Sequence, residues 1–256
     1  MMEKHFMNPS SADYLRDYLQ LQMNVSHCKL PGRHRLVIEH FSDSLNTNDS
    51  KQLVLHTFWG GRINTPYAFA LAAAWKQKYG YKIQVFNDDD SILLDLPHDF
   101  SVRDLISLVT SDNLEKLLRM HLETTGYFGG RFRENAARSL LLPKQSFNKR
   151  MPLWMNRLRS RKLLDVISSY SDFPVLIETW RSIMEDEFDL PALFMLLDEL
   201  QSGTTEIVET VTGSPSPFAS GIIHQHTEKF MYKDDTSESG SPSALNDNYI
   251  RDFIYG

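Results

Sequence analysis

With 256 residues, 41% hydrophobic and 23% charged, the chain is long enough to bury a real core and reads as an ordinary soluble globular protein of one large domain or two small ones. A single cysteine, Cys28, excludes an internal disulfide and fits a reducing cytoplasm; no apolar run of about 18 residues exists, so neither a membrane span nor a secretory signal is expected. The formal net charge of −6 would by itself argue against a polyanionic partner, but it averages over a strong local asymmetry.

In chain order, Ser10 to Met23 is predicted to be a helix capped by Ser10 or Ser11, with Leu15, Tyr18, Leu19 and Met23 on one face. Pro31 and Gly32 break the chain. Two apolar, β-branched stretches, Arg35 to Phe41 and Gln52 to Phe58, are expected strands joined by the polar loop Ser42 to Lys51. In Gly60-Gly61-Arg62-Ile63-Asn64-Thr65-Pro66, Thr65 reads as an N-cap and Pro66 as a first helical residue. The alanine-rich helix then runs to Tyr79 and stops at Gly80. Strands at Tyr81 to Phe86 and Ser91 to Leu96 flank the turn Asn87 to Asp90, whose aspartates are expected to bond local backbone groups.

Beyond Pro97 the pattern turns helical. Helices are expected at Val102 to Val109, Asn113 to Glu123, Phe128 to Leu142, Pro152 to Ser168, Pro174 to Glu187 and Pro191 to Leu200. A late strand, Thr205 to Val211, precedes the Ser214-Pro215-Ser216-Pro217 repeat. The fold class is thus α+β: a mainly antiparallel sheet with a packed helix, followed by a helical subdomain. The expected parts are a sheet-based part over 1–97, a basic helical part over 98–233 and a flexible tail over 234–256.

Several chemistries are missing from the sequence. No glycine is followed by lysine, so the phosphate-cradling loop of an ATPase is absent, and Glu185-Asp186-Glu187 sits in a helical pattern rather than in a magnesium-binding strand end. His27-Cys28 and His224-x-His226 lack second pairs at zinc spacing. Neither a nucleophile elbow nor a zinc-protease motif occurs, and Cys28 has no activating neighbourhood in sequence.

One chemistry is concentrated. Arg131 to Lys162 holds ten basic residues (Arg131, Arg133, Arg138, Lys144, Lys149, Arg150, Arg157, Arg159, Arg161 and Lys162) against one acid, Glu134, a balance of +9 that leaves −15 for the rest. Phe128, Phe132, Phe147 and Trp154 are interleaved. Basic groups along a backbone and flat rings under bases are what a single nucleic-acid strand needs, although rings can equally be core and arginines a solvated face. The loop Trp59-Gly60-Gly61-Arg62 is a second candidate. It precedes a helix N-terminus, where amide groups and Arg62 could hold a phosphate or simply make a tight turn around a buried Trp59.

Seven strings, in order, carry a resemblance: Leu55 to Pro66 with Ala68 to Trp75; Asp88 to Leu94; Phe132 to Arg138 with Leu140 to Pro143; Pro152 to Arg159; Tyr170 to Pro174; Asp189 to Leu193; and Ser214 to Ala219. Over roughly residues 12–236 the chain resembles the C-terminal accessory (DEAD/H-associated) domain of the Lhr, large helicase-related, superfamily 2 helicases. The resemblance implies a nucleic-acid-binding accessory domain lining a single-strand channel in an ATP-dependent DNA helicase that acts in DNA repair. The RecA-like motor would lie in the same or another chain, and ATP and magnesium would belong to it. The partners implied are single-stranded DNA or an RNA–DNA hybrid, with docking onto a motor as the alternative role. No catalysis by this chain alone, no metal and no cofactor of its own are expected. The contact residues it points to are Trp59, Arg62, Arg131, Arg133, Arg138, Lys149, Arg150, Trp154, Arg157, Arg159 and Arg161, with Trp59, Tyr67 and Trp154 all open as the stacking ring.

Overall fold

The structure, a computed structural model, describes residues 6–41, 51–96, 100–142, 152–170 and 172–237. Its centre is a five-stranded sheet of β1 (Arg35–Phe41), β2 (Lys51–His56), β3 (Gln84–Asn87), β4 (Ser91–Leu96) and β5 (Glu206–Thr212), in the order β3-β4-β2-β1-β5. Three pairings are antiparallel, and the late strand β5 joins parallel to β1, from Arg35 opposite Glu206 to Phe41 opposite Thr212. The chain is α+β, with its sheet mostly antiparallel. The helical second half therefore returns to the sheet of the first.

Both sheet faces are buried, which is why β1, β2 and β4 read as nearly continuous apolar runs. Leu36, Ile38, Leu53, Leu55, Ile92 and Leu94 face α2 (Gly61–Tyr79), whose Tyr67, Ala70, Leu71, Ala74 and Trp75 they meet in the main core. Alternate residues face the other way. Phe41, Val54 and Leu93 pack against Ala219 and Ile222 of α9 (Pro217–Ser237), beside α1 (Pro9–Ser26). α9 runs through 234–237, so those residues are helical rather than tail; the remainder, 238–256, lies outside the described residues.

On this second face a carboxylate is fully enclosed. Glu39 of β1 accepts from His56 Nε2 at 2.9 Å, Thr212 Oγ1 at 2.8 Å, the Ser216 amide at 2.8 Å and Ser216 Oγ at 2.5 Å. Gln22 of α1 extends the network, donating to Ser216 Oγ at 3.1 Å and accepting the Phe218 amide at 2.9 Å. Burial pushes the Glu39 pKa up, but the hydrogen bonds from His56, Ser216 and Thr212 outweigh it and hold the group below the ordinary carboxylate value. The Ser-Pro repeat is therefore a receptor for a buried anion, a role its turn-like composition does not announce.

α2 begins five residues earlier than its composition suggests. Gly60, at φ 87°, precedes it, and Pro66 lies inside it. A proline there cannot donate to the carbonyl four residues back, Arg62 O. That carbonyl is taken by the Asp189 amide at 3.0 Å instead, so the missing bond is replaced from another element. Thr65 is consequently no cap; its hydroxyl accepts from Asn87 Nδ2 at 3.0 Å. α1 is capped by Asn8, whose Oδ1 accepts the Ser11 amide at 2.7 Å, rather than by Ser10 or Ser11.

The helical layer comprises α3 (Val102–Ile106), α4 (Leu114–Leu122), α5 (Gly126–Arg138), α6 (Leu153–Ile167), α7 (Pro174–Arg181), a π-helical turn (Ser182–Glu187) and α8 (Leu190–Gln201). It shares the main core with the sheet through Leu118, Phe128, Phe132, Leu176 and Leu197. Among the described residues no helix is long and apolar enough to cross a membrane.

The Glu39 network yields a sign-definite prediction. Because folding lowers the Glu39 pKa, its stabilisation is complete above about pH 4.3, the unfolded value, and fades as pH falls through the lower folded value. Glu39→Gln leaves donors facing an amide and should lower unfolding stability by about 2–4 kcal/mol at pH 7 in urea titrations. The gap to the parent protein should shrink below about pH 4; a gap that grows on acidification would contradict this assignment.

Candidate nucleic-acid interface

α5 organises the candidate site. Thr125 caps it, its Oγ1 accepting the Phe128 amide at 3.3 Å, and Phe128, Phe132 and Ala136 anchor one face in the core. A cleft of about 680 Å³ opens between the N-terminal half of α5 and α6. Arg133 projects into it from α5, Arg157 and Arg161 from α6, one helical turn apart; Gly126, Gly129 and Ser160 complete its walls. Two carboxylates also line it, Glu123 and Asp165, and Glu123 accepts from Trp180 Nε1 at 3.3 Å. Arg133, Arg157 and Arg161 have no side-chain partner among the described residues. The cleft thus gathers three guanidinium groups and two carboxylates beside the N-terminus of α5, the positive end of that helix.

The other basic candidates are disposed differently. Arg131 pairs with Glu134 at 2.7 Å and with Glu187, to which Tyr127 also donates. Arg138 is exposed near Glu178, whose carboxyl it helps to keep ionised behind the larger effect of Arg181. Arg159, on α6, is half-buried and engaged. Lys149 and Arg150 lie outside the described residues, as does Phe147. Of the rings, Phe128, Phe132 and Tyr67 are fully buried and cannot stack on a base, whereas Trp154, in the first turn of α6, is 53% exposed.

The Trp59–Arg62 loop has a distinct character. Its shape is imposed by the β3–β4 turn: Asn64, buried, donates to Asp88 O at 2.9 Å and Asp89 O at 3.0 Å, and Asp88 Oδ1 accepts the Asp90 and Ser91 amides, as its turn composition suggests. The Gly61 amide, which a phosphate would need, is already donated to Asp89 Oδ1 at 3.0 Å. A side chain at Gly61 would collide with that oxygen, 2.5 Å from an ideal Cβ, so the glycine serves an internal anion. Arg62 donates to Glu187 O at 3.2 Å and Asp186 O at 3.0 Å, capping the end of the π-helical turn. Trp59 leans on Tyr67 with ring centroids 5.7 Å apart.

What remains open in this loop is a recess of about 470 Å³ bordered by Phe58, Trp59, Arg62 and the aspartates 89, 90 and 189. Burial and the neighbouring Asp88 and Asp89 raise the Asp90 pKa, the mark of crowded negative charge. Phe58 was missed by sequence reasoning, which placed it in a strand. β2 ends at His56, and Phe58 adopts a left-handed backbone (φ 52°) that leaves its ring 44% exposed. Such a conformation in a non-glycine residue is costly, and no sequence pattern encodes it.

The comparisons with known proteins place this α+β fold in a family. The chain belongs to the DEAD/H-associated domain family of the Lhr helicases: the family described as DEAD/H associated matches residues 30–219. It is 36% identical over 230 residues, 88% of its length, to the Lhr helicase/uracil glycosylase of Escherichia coli K12, and 34% identical over 228 residues to the Lhr helicase/probable uracil glycosylase of Mycolicibacterium smegmatis. A solved structure of Mycobacterium smegmatis helicase Lhr bound to ssDNA and AMP-PNP superposes with a TM-score of 0.75 at 32% identity, covering 84% of this chain and 27% of that one. The chain spans 15% of the length of the first two relatives.

Gly129 borders the cleft, yet a Cβ there would meet nothing within 4 Å. Glycine in a helix costs about 1 kcal/mol relative to alanine. Gly129→Ala is therefore expected to raise unfolding stability by roughly 0.5–1 kcal/mol in denaturant titrations; a loss of stability would show the helix to be packed more tightly than described.

Proposed function

We propose that this domain holds a single strand of DNA as the accessory part of an Lhr-type, ATP-dependent helicase, lining the channel through which the strand passes. The observation that carries the reading is the convergence of Arg133, Arg157 and Arg161 on one open cleft, without partners among the described residues. Phosphates lie in this cleft, where guanidinium groups bind them and displace counterions. Arg138 and Arg159 add positive charge on the same stretch of chain, and Arg131 supports it by holding the turn at Glu187; Lys149 and Arg150 belong to this stretch in sequence.

The bases take the opposite chemistry. The loop recess, with three aspartates against Arg62, suits bases, whose flat faces stack on Phe58 and Trp59 and whose amino groups donate to carboxylates. Trp154 supplies a further exposed ring in the first turn of α6, one turn before Arg157. Arg62 and Arg131 both grip the turn ending at Glu187, so loop and cleft are fixed relative to one another across α5. An RNA–DNA hybrid would present the same phosphates to the same cleft.

The Trp59–Arg62 loop is no cradle for the phosphates of ATP: its Gly61 amide is occupied by Asp89, and no glycine in the sequence precedes a lysine. Nucleotide hydrolysis and its magnesium belong to RecA-like modules in the same or another chain. A second reading has its own support: Val166 and Tyr170, at and just beyond the end of α6, are at least 60% exposed and offer apolar surface for docking on such a motor.

The test is the salt dependence of oligonucleotide binding. Arg157→Ala with Arg161→Ala should weaken binding of every sequence alike and flatten the log affinity–log salt slope by roughly 1.4, about 0.7 per lost single-strand phosphate contact. An unchanged slope would remove the cleft from the phosphate path. Loss of a motor partner with strand binding intact would favour the docking role.

A further inference from the structure

A smaller recess lies across the α4–α5 turn from the cleft. It encloses about 160 Å³ between α2, the start of β3 and α4, room for about five waters at roughly 30 Å³ each. Its floor is apolar, with Phe69, Ala72 and Ile83; its rim carries Lys76, Lys82 and His121, and no carboxylate lines it. Lys76 sits in the last turn of α2, Lys82 follows the helix stop at Gly80, and His121 ends α4. Neither lysine forms an ion pair among the described residues.

The half-buried His121 ring lies 5.9 Å from that of Phe69. Burial, followed by Lys76 and Lys82, holds its pKa below the ordinary imidazole value. Three cationic or protonatable groups thus face one small cavity without a counter-anion, a poor arrangement for the protein alone. An anionic group entering the cavity would relieve it, and a flat apolar body attached to that anion would cover Phe69 and Ala72.

We propose that this recess binds a nucleotide, its phosphate on Lys76, Lys82 and His121 and its base against Phe69 and Ala72. The nucleotide is either free or part of a strand that leaves the α5–α6 cleft over the turn at Glu123–Thr125; only the second source rests on the strand-binding reading. His121 and the cleft-lining Glu123 are two residues apart, so a strand rounding this turn passes both.

The experiment is an NMR pH titration of the His121 ring in the whole chain, assigned with His121→Gln, alone and with thymidine monophosphate or a thymidine oligonucleotide. An added phosphate beside the ring favours its protonated form, so the titration midpoint should rise by about one pH unit, a tenfold shift in protonation. Lys76→Glu with Lys82→Glu should abolish the rise. A response to the monophosphate assigns the free nucleotide as ligand, and a response to the oligonucleotide assigns the strand. A midpoint unmoved by both overturns the proposal. Repeating the monophosphate arm in Arg157→Ala/Arg161→Ala separates the two sites: that response should persist even where strand binding is lost, so failure of the cleft reading leaves this arm intact.

Discussion

The enclosed Glu39 carboxylate is the constraint on which the rest of the molecule depends. A fully buried anion is tolerable only when its oxygens are saturated with donors, and here the donors come from residues 56, 212 and 216. Two of the three lie about 175 positions away in sequence. Satisfying one side chain therefore forces the end of the chain back onto the sheet, sets β5 parallel beside β1 and seats α9 on the face that α2 does not cover.

The intervening helices are in turn fixed by exchanges of backbone and charge between elements. Pro66 frees Arg62 O for the Asp189 amide; Arg62 caps the π-helical turn; Glu187, at the end of that turn, receives Arg131 and Tyr127 from α5. This chain of contacts consumes several cations and leaves Arg133, Arg157 and Arg161 to face solvent in one cleft. The cleft holds Arg133, Arg157 and Arg161 with Glu123 and Asp165, while the Phe58–Trp59 recess holds three aspartates with Arg62. A strand that offers phosphates on one side and bases on the other meets both surfaces with the chemistry each prefers.

Much of this was legible in the amino-acid sequence, because strands with both faces buried and alanine-rich or proline-started helices leave strong local patterns. The α+β class and the strand positions of β1, β2 and β4 followed from them, while the family rested on the resemblance of seven short strings taken in order. The start of α2 was misplaced because Pro66 ordinarily marks a first turn, and only the distant Asp189 amide makes it tolerable inside a helix. The basic stretch was visible as composition, but which arginines stay unpaired depends on Glu187 and Glu134, whose positions no local pattern gives. The burial of Phe128 and Phe132 was likewise hidden, since their spacing suits a core face and a stacking face equally. Phe58 could not have been found, because its exposure follows from a strained backbone angle.

A crystal structure of this domain with a thymidine oligonucleotide tests the central claim most directly. The account predicts consecutive phosphates within about 2.7–3.2 Å of guanidinium nitrogens of Arg133, Arg157 and Arg161. A strand bound elsewhere, with that cleft occupied by water, would contradict it.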